Sequence, residues 1–184
     1  GNPIEDTDTV NALGWGALFR TLRVMELSGE TVAGLFFLEL PGPQFLARES
    51  FRVLENGLDP ARITWMNAAD PASLCGIGPD GLKGVLPSRI AGNHVVYRGT
   101  EVMVVSRRHG NELEILAAPD DPDLPRLFGF IEVMLSREFL SLPDVRVRAI
   151  NGEPARESPY RATLEALFDV VEEPRGLVLY PRRG

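Results

Sequence analysis

Three β-prone runs, residues 94–97, 101–106 and 112–116, follow one another with only Arg98-Gly99-Thr100 and Arg107-Arg108-His109-Gly110-Asn111 between them. A connection this short can join neighbouring strands through a hairpin but cannot carry the dozen or more residues that a parallel crossover needs. The centre of the chain is therefore predicted to be an antiparallel meander. Whatever else the sequence builds has to pack against that sheet.

The flanking segments read as alternating helices and strands. Val10, Leu13, Phe19 (or Leu18), Leu22 and Met25 recur at helical spacing, so a helix is expected over 9–27, with Thr9 as N-cap and Ser28-Gly29 as its end. Residues 31–40 are rich in Val, Phe and Leu and predict a strand that Pro41 and Pro43 stop. A short helix over 47–55 is closed by Asn56-Gly57, a strand follows over 63–66, and Asp70-Pro71 is expected to open a helical turn. Residues 76–87 read as loop. Acidic residues at 120–123 complement the positive end of a helix predicted to reach about residue 139. A strand over 145–150 runs into Asn151-Gly152, a strong tight-turn signal. A helix over 159–168 precedes a last hairpin, whose strands include 170–171 and 177–180, around Pro174-Arg175-Gly176. The expected class is α+β with a mostly antiparallel sheet, drawn as a partly closed β-barrel flanked by helices. Residues 1–8 are expected to be a loose end or an expression remnant, and 9–184 a single domain.

Composition narrows the function classes. The chain has 184 residues, 44% hydrophobic and 24% charged, which suits one globular domain. No apolar run approaches the roughly 20 residues that a membrane-spanning helix needs. No basic-then-apolar leader opens the sequence, and Gly1 in place of Met leads us to expect a domain excised from a longer chain. A lone Cys75 fits a reducing cytoplasm and cannot build a thiolate zinc cage. The formal net charge of −7 opposes non-specific binding to phosphate.

The chemical motifs are mostly missing. Gly76-Ile77-Gly78-Pro79-Asp80-Gly81 matches G-x-G-x-x-G in letters, but it does not follow a strand or open a helix, as pyrophosphate binding requires. Gly81-Leu82-Lys83-Gly84 lacks the spacing and the hydroxyl of a P-loop. His94 and His109, the two histidines, are not in a metal-ligand spacing, and no G-x-S-x-G elbow accompanies a serine. No catalytic, cofactor-binding or metal-binding residue is assigned. Trp15, Phe36, Phe37, Phe45, Phe51 and Trp65 are ordinary candidates for a core. Trp15 and Trp65 are also kept as base-stacking candidates. Positive charge collects at Arg107-Arg108-His109, at Arg146 and Arg148 (two apart on a strand and so on one face) and at Arg182-Arg183. Arg107, Arg108, His109, Arg146 and Arg148 are the candidate phosphate contacts, against the plainer reading of a solvated surface.

The order of several elements is similar to the C-terminal region of the large helicase-related (Lhr) branch of superfamily 2 helicases. They are Gly34-Leu35-Phe36-Phe37, then Gly42-Pro43-Gln44-Phe45, 49–54, and Asn67-Ala68-Ala69-Asp70-Pro71 with Gly76 after it. The segment Ser88-Arg89-Ile90-Ala91-Gly92-Asn93-His94-Val95-Val96-Tyr97 resembles that family's R-h-x-G-x-x-V-h-Y pattern. Ile150-Asn151-Gly152-Glu153-Pro154, Ser158-Pro159 and Pro174-Arg175-Gly176-Leu177-Val178-Leu179 resemble its closing pattern. The resemblance runs from about Leu13 to Tyr180. It departs at Leu13-Gly14-Trp15, where the family tends to have G-R-W. It implies a β-barrel-containing accessory domain, cytoplasmic and monomeric, without catalysis of its own. ATP and Mg would belong to upstream RecA-like motor domains of the same chain. The domain would help to form the nucleic-acid channel, meet single strands weakly and buttress the motor. The alternative is a docking module that contacts only the motor; a small-molecule-binding barrel would need convergent polar groups that the sequence does not show.

Overall fold

The first helix ends at a glycine because the chain reverses there. In the computed structural model, which describes residues 14–37, 42–76, 84–136 and 141–182, this helix spans Trp15–Leu27. Gly29 has φ +82°, its N–H donates to the Glu26 carbonyl (3.0 Å), and the Glu30 N–H donates to the Met25 carbonyl (2.8 Å). These two bonds are a Schellman cap, and they satisfy carbonyls that the helix itself leaves open. The Thr9 cap and residues 1–8 lie outside the described residues.

The chain divides into two compact units, residues 1–58 and 59–184. In the first, β1 (Thr31–Gly34) pairs antiparallel with β2 (Gln44–Ala47), from Thr31 opposite Ala47 to Gly34 opposite Gln44. The Gln44 side chain extends this hairpin beyond its last pair. Its Oε1 accepts from the N–H groups of Phe36 and Phe37, each at 2.8 Å, and its Nε2 donates to the Phe37 carbonyl at 2.8 Å. The strand expected over 31–40 is thus regular only to Gly34, and 38–41 lie outside the described residues. Arg48 opens the next helix, Arg48–Asn56. Its backbone N–H donates to the Glu30 carbonyl (3.0 Å) and its Nε to the Gly29 carbonyl (2.6 Å), fastening this helix to the end of the first. Phe36 meets Phe51 edge-on, with ring centroids 6.1 Å apart.

The second unit contains two sheets. The larger is ordered β3-β4-β5-β6-β8-β9, where β3 is Ile63–Asn67, β4 His94–Arg98, β5 Glu101–Arg107, β6 Glu112–Ile115, β8 Ala149–Ile150 and β9 Glu153–Pro154. All its pairs are antiparallel except β6 with β8. The expected meander is therefore present. The smaller sheet, ordered β10-β11-β7, is antiparallel and comprises β10 (Asp169–Glu173), β11 (Gly176–Tyr180) and β7 (Val145–Val147). The expected partly closed barrel is not found among the described residues. The larger sheet is open and ends in β3 on one side and the two-residue β9 on the other, where Pro154 has no N–H to pass a ladder onward.

One apolar core serves both sheets. Val104, Leu113 and Ile115 from the larger sheet and Val145, Val147, Leu177 and Leu179 from the smaller are buried with Leu127, Phe128, Phe130, Ile131 and Leu164. Fully burying side chains of this size is worth about 1.5–3 kcal/mol each. Tyr160 enters the same core and its hydroxyl donates to the Ala117 carbonyl at 2.7 Å, so its polar end is satisfied.

Two expected elements are broken. The helix predicted to reach about residue 139 is a four-residue turn of helix, Leu124–Leu127, followed by Gly129–Ser136. Phe128 sits between them at φ −87°, ψ −1°, next to Gly129, a poor helix former; residues 137–140 lie outside the described set. The strand predicted over 145–150 is two strands in two sheets, parted at Arg148. There the Arg148 N–H donates to the Asn111 carbonyl (2.8 Å), and its own carbonyl accepts from the Ala155 N–H (2.9 Å), so neither bond belongs to a regular ladder. The helical turn expected at Asp70 is a single turn: the Asp70 Oδ1 accepts from the Ala72 N–H (2.8 Å) and the Ser73 N–H donates to the Asp70 carbonyl (2.9 Å).

Two stability measurements check this account. A Cβ at Gly176 would lie 2.2 Å from the Val147 carbonyl oxygen, whereas one at Gly152 would meet nothing within 4 Å, although both positions have positive φ. Gly176→Ala is expected to lower urea stability well beyond the roughly 1 kcal/mol scale of ordinary glycine effects, and Gly152→Ala by distinctly less. Equal losses would disprove the close approach. The second test concerns Asp121, whose carboxylate is held below the ordinary aspartate range, first by the Asp123 N–H and then by Arg98, 2.7 Å away. A depressed folded-state value stabilises above the unfolded aspartate value of about 3.9 and loses that contribution as pH falls through the folded value. Asp121→Asn should therefore be less stable than wild type at pH 7, with the difference vanishing as pH falls below that range in an acid-titrated thermal melt.

Candidate nucleic-acid interface

Residues 108–110 make the tight turn between β5 and β6 with all three φ angles positive: Arg108 +54°, His109 +58° and Gly110 +89°. The turn is anchored from below. The Arg108 N–H donates to the Asn93 Oδ1 (3.1 Å) and the His109 N–H to the Gly92 carbonyl (2.6 Å), and the His109 ring lies against Gly92. Both arginines of the expected cluster have carboxylate partners. Arg107 donates through Nη1 and Nη2 to the Glu114 Oε2, each at 3.0 Å, and Arg108 Nη1 lies 2.8 Å from the Glu112 Oε1. The structure thus brings Arg107, Arg108 and His109 together but sets two acids beside them. Exposed pairs of this kind contribute little to stability, yet they offset the charge of the cluster.

Arg146 on β7 and Arg148 just past its end are both exposed and alternate with buried Val145 and Val147, but the strand on which their spacing would place them on one face stops between them. Their electrostatic settings differ. Arg146 lies 3.0 Å from Asp144 and 3.8 Å from Glu173, and the Asp144 contact raises its already high pKa further. Arg148 has no carboxylate partner among the described residues. It borders a cleft of about 440 Å³ whose other polar walls are Arg156, Arg175 and Glu153. Arg156 is paired with Glu172 at 3.5 Å, and Arg175, like Arg148, has no acidic partner among the described residues. The sequence reading passed over Arg156 and Arg175. Arg175 stood in view within Pro174-Arg175-Gly176, but a turn signature says nothing about what the turn lies against.

The two stacking candidates differ as well. Trp65 on β3 is 38% exposed, with its ring 6.0 Å from that of His94, which is in turn 5.9 Å from buried Phe130. It is the outer member of a row of tilted ring contacts rooted in the core. Trp15 is 59% exposed and meets Phe19 at 6.3 Å. The Asn67-Ala68-Ala69-Asp70 element is spent on backbone bonding: the Asn67 amide bonds the Ala69 N–H (2.9 Å) and the Ala91 carbonyl (2.6 Å) and lies 3.2 Å from His94 Nε2. Ala68 is fully buried beside Cys75 and Val95.

Among the described residues no group of three His, Cys, Asp or Glu side chains is placed to hold a metal ion, and no helix is long and apolar enough to cross a membrane. The Gly76–Gly81 run falls largely on 77–83, outside the described residues, and Arg183 of the Arg182-Arg183 pair is also outside. Arg182 Nη1 donates to the Ala166 carbonyl.

No curated protein matches the chain. Residues 7–65 match the family model described as the large helicase-related protein, winged-helix domain, a segment that takes in the Trp15–Leu27 helix, the β1–β2 hairpin, the Arg48–Asn56 helix and the start of β3. The match covers less than half of the chain; it shows that residues 7–65 are similar to a winged-helix domain of the large helicase-related protein, in support of the resemblance to the C-terminal region of that family.

Proposed function

We propose that residues 9–184 act as one accessory module of a longer, ATP-dependent helicase, with no catalysis of their own. The match of residues 7–65 to a helicase winged-helix domain carries this reading. ATP and Mg belong to motor domains elsewhere in that longer chain. The module's task is to line part of the path of a single strand in the cytoplasm and to brace the motor. It meets the strand through arginines of the 59–184 unit, among them half-buried Arg107 and exposed Arg108, Arg146 and Arg148, with His109 next to Arg108; Trp15 and Trp65 are available for stacking. Such contacts go to phosphates, so they position a strand without reading its sequence.

A second reading, docking onto the motor without touching nucleic acid, is favoured by one observation. The Trp15–Leu27 helix has no buried residue, and Leu27 and Leu35 are 86% and 74% exposed. Apolar side chains this exposed, with Trp15, Val24 and Phe37 exposed in the same unit, suit a partner protein surface.

Fluorescence anisotropy of a labelled single-stranded oligonucleotide separates the two. Strand contact predicts a dissociation constant no tighter than about 10⁻⁵ M at physiological salt and a log–log salt slope near −2, from two or three phosphates at about 0.7 each. Absence of binding even at about 10 mM salt, where the Debye length reaches roughly 30 Å, would defeat strand contact and leave docking.

A further inference from the structure

The cleft beside Arg148 is where two turns meet. The β8–β9 turn, Asn151-Gly152, forms one wall, with Asn151 at φ +54° and Gly152 at +84°. The β10–β11 turn, Pro174-Arg175, forms another. Gly176 holds the second turn against the backbone at Val147 and Arg148: a Cβ there would come within 2.9 Å of the Arg148 Cα. Arg175 is therefore fixed next to Arg148 by backbone packing, although they are far apart in sequence. Arg156, from the short helical turn Ala155–Glu157, completes the set.

Charge distinguishes this cleft from the rest of the surface. Among the described residues of the 59–184 unit most arginines are bound to carboxylates, including Arg107 and Arg108. Arg148 and Arg175 are exposed and have no acidic partner among the described residues. Three arginines line the cleft against one carboxylate, Glu153, in a chain of net charge −7. Two adjacent unpaired guanidinium groups are costly to hold together unless an anion comes between them. Their planar donor forks match phosphate oxygens two at a time. An arginine whose donors are already bonded to a carboxylate has fewer left to offer. The volume of about 440 Å³ falls within the usual range of binding sites, and the walls are turns and charged side chains, which suits an anionic chain better than an apolar ligand.

We infer that the cleft lined by Arg148, Arg156 and Arg175 is the seat of the sugar–phosphate backbone of a single strand, with Arg148 and Arg175 each taking a phosphate. This rests on the strand-contact reading above and moves its centre from the β5–β6 turn to the junction of the two sheets.

The test uses the full chain, a fluorescein-labelled single-stranded oligonucleotide and anisotropy at about 50 mM salt. Arg148→Glu combined with Arg175→Glu should weaken binding about tenfold or more and flatten the salt slope by about 1.4, the share of two phosphates. Arg126→Glu, at an exposed arginine away from the cleft that is already bound to Asp123, should change affinity less than about threefold. Glu153→Gln removes the cleft's carboxylate and should tighten binding. If wild type binds and the Arg148/Arg175 variant binds equally well, the inference is overturned while strand contact stands. If wild type does not bind, strand contact falls and the inference with it. Displacement of the strand by polyglutamate as readily as by unlabelled strand would assign the cleft to an acidic protein segment and overturn the inference. Neither arginine has a bonded acidic partner to lose, so the variant's thermal melt should match wild type. Should it fold poorly, Glu153→Gln decides alone, and no tightening overturns the inference.

Discussion

The 59–184 unit depends on how closely β11 can approach the junction of β7 and β8. Gly176 sits where a side chain would collide with the Val147 carbonyl oxygen and with Arg148. Because nothing projects there, β11 pairs with β7 from Leu177 opposite Val147 to Leu179 opposite Val145, and four buried side chains, Leu177, Leu179, Val145 and Val147, reach the shared core. The same approach ends β7 after three residues. The chain then passes Arg148 and joins the larger sheet as β8. One missing methyl thus sets the strand length, the change of sheet and the place where two turns converge. Core burial supplies the favourable free energy, but it is non-directional; this contact fixes the register in which the core is buried.

A second theme is the use of side-chain amides in place of main chain. Gln44 bonds the Phe36 and Phe37 backbone where the β1–β2 ladder has ended. Asn151 accepts from the Ile115 N–H (2.6 Å) and donates to the Ile115 carbonyl (3.0 Å), extending β6 past its last regular pair. Asn67 does the same work for the loop after β3. An unpaired backbone group in such a half-buried place costs about 1–3 kcal/mol, so an amide that meets both a donor and an acceptor is hard to replace. The elements that resemble the helicase family are in these cases elements of construction, and they point to no chemistry of their own.

How much of this was legible in the sequence follows from the range of each interaction. The meander was legible because its turns are local: 98–100 and 107–111 hold the residues that tight turns require. The helix end at Ser28-Gly29 and the Asn151-Gly152 turn were legible for the same reason. The break at Arg148 was not, since Val145 to Ala149 alternates without interruption and the partners met at the break, Asn111 and the close-packed Gly176, are remote in sequence. The barrel expectation failed at the sheet edges, where a two-residue β9 ends the order of strands. For the site, residue type singled out Arg107, Arg108, Arg146 and Arg148. Only the fold shows that three of them face Glu114, Glu112 and Asp144 and that one does not.

Pairing, more than residue counts, governs where an acidic chain can meet phosphate. With a Debye length of about 8 Å at physiological salt, a strand responds to the charges beside it and scarcely to the total of −7. An arginine already held by a carboxylate presents a dipole, whose field falls off faster than that of a free charge and which must release its partner before it can fork onto a phosphate. The surface is therefore uneven for a ligand even where arginines are evenly spread. Arg107 and Arg108 form the densest basic run in the sequence between the termini, yet Glu114 and Glu112 on the neighbouring β6 take up that charge. Arg148 and Arg175, like Arg108, lie in connections, but neither has a carboxylate within ion-pairing distance among the described residues. The change of sheet that breaks β7 from β8 thus falls at one of these two guanidinium groups.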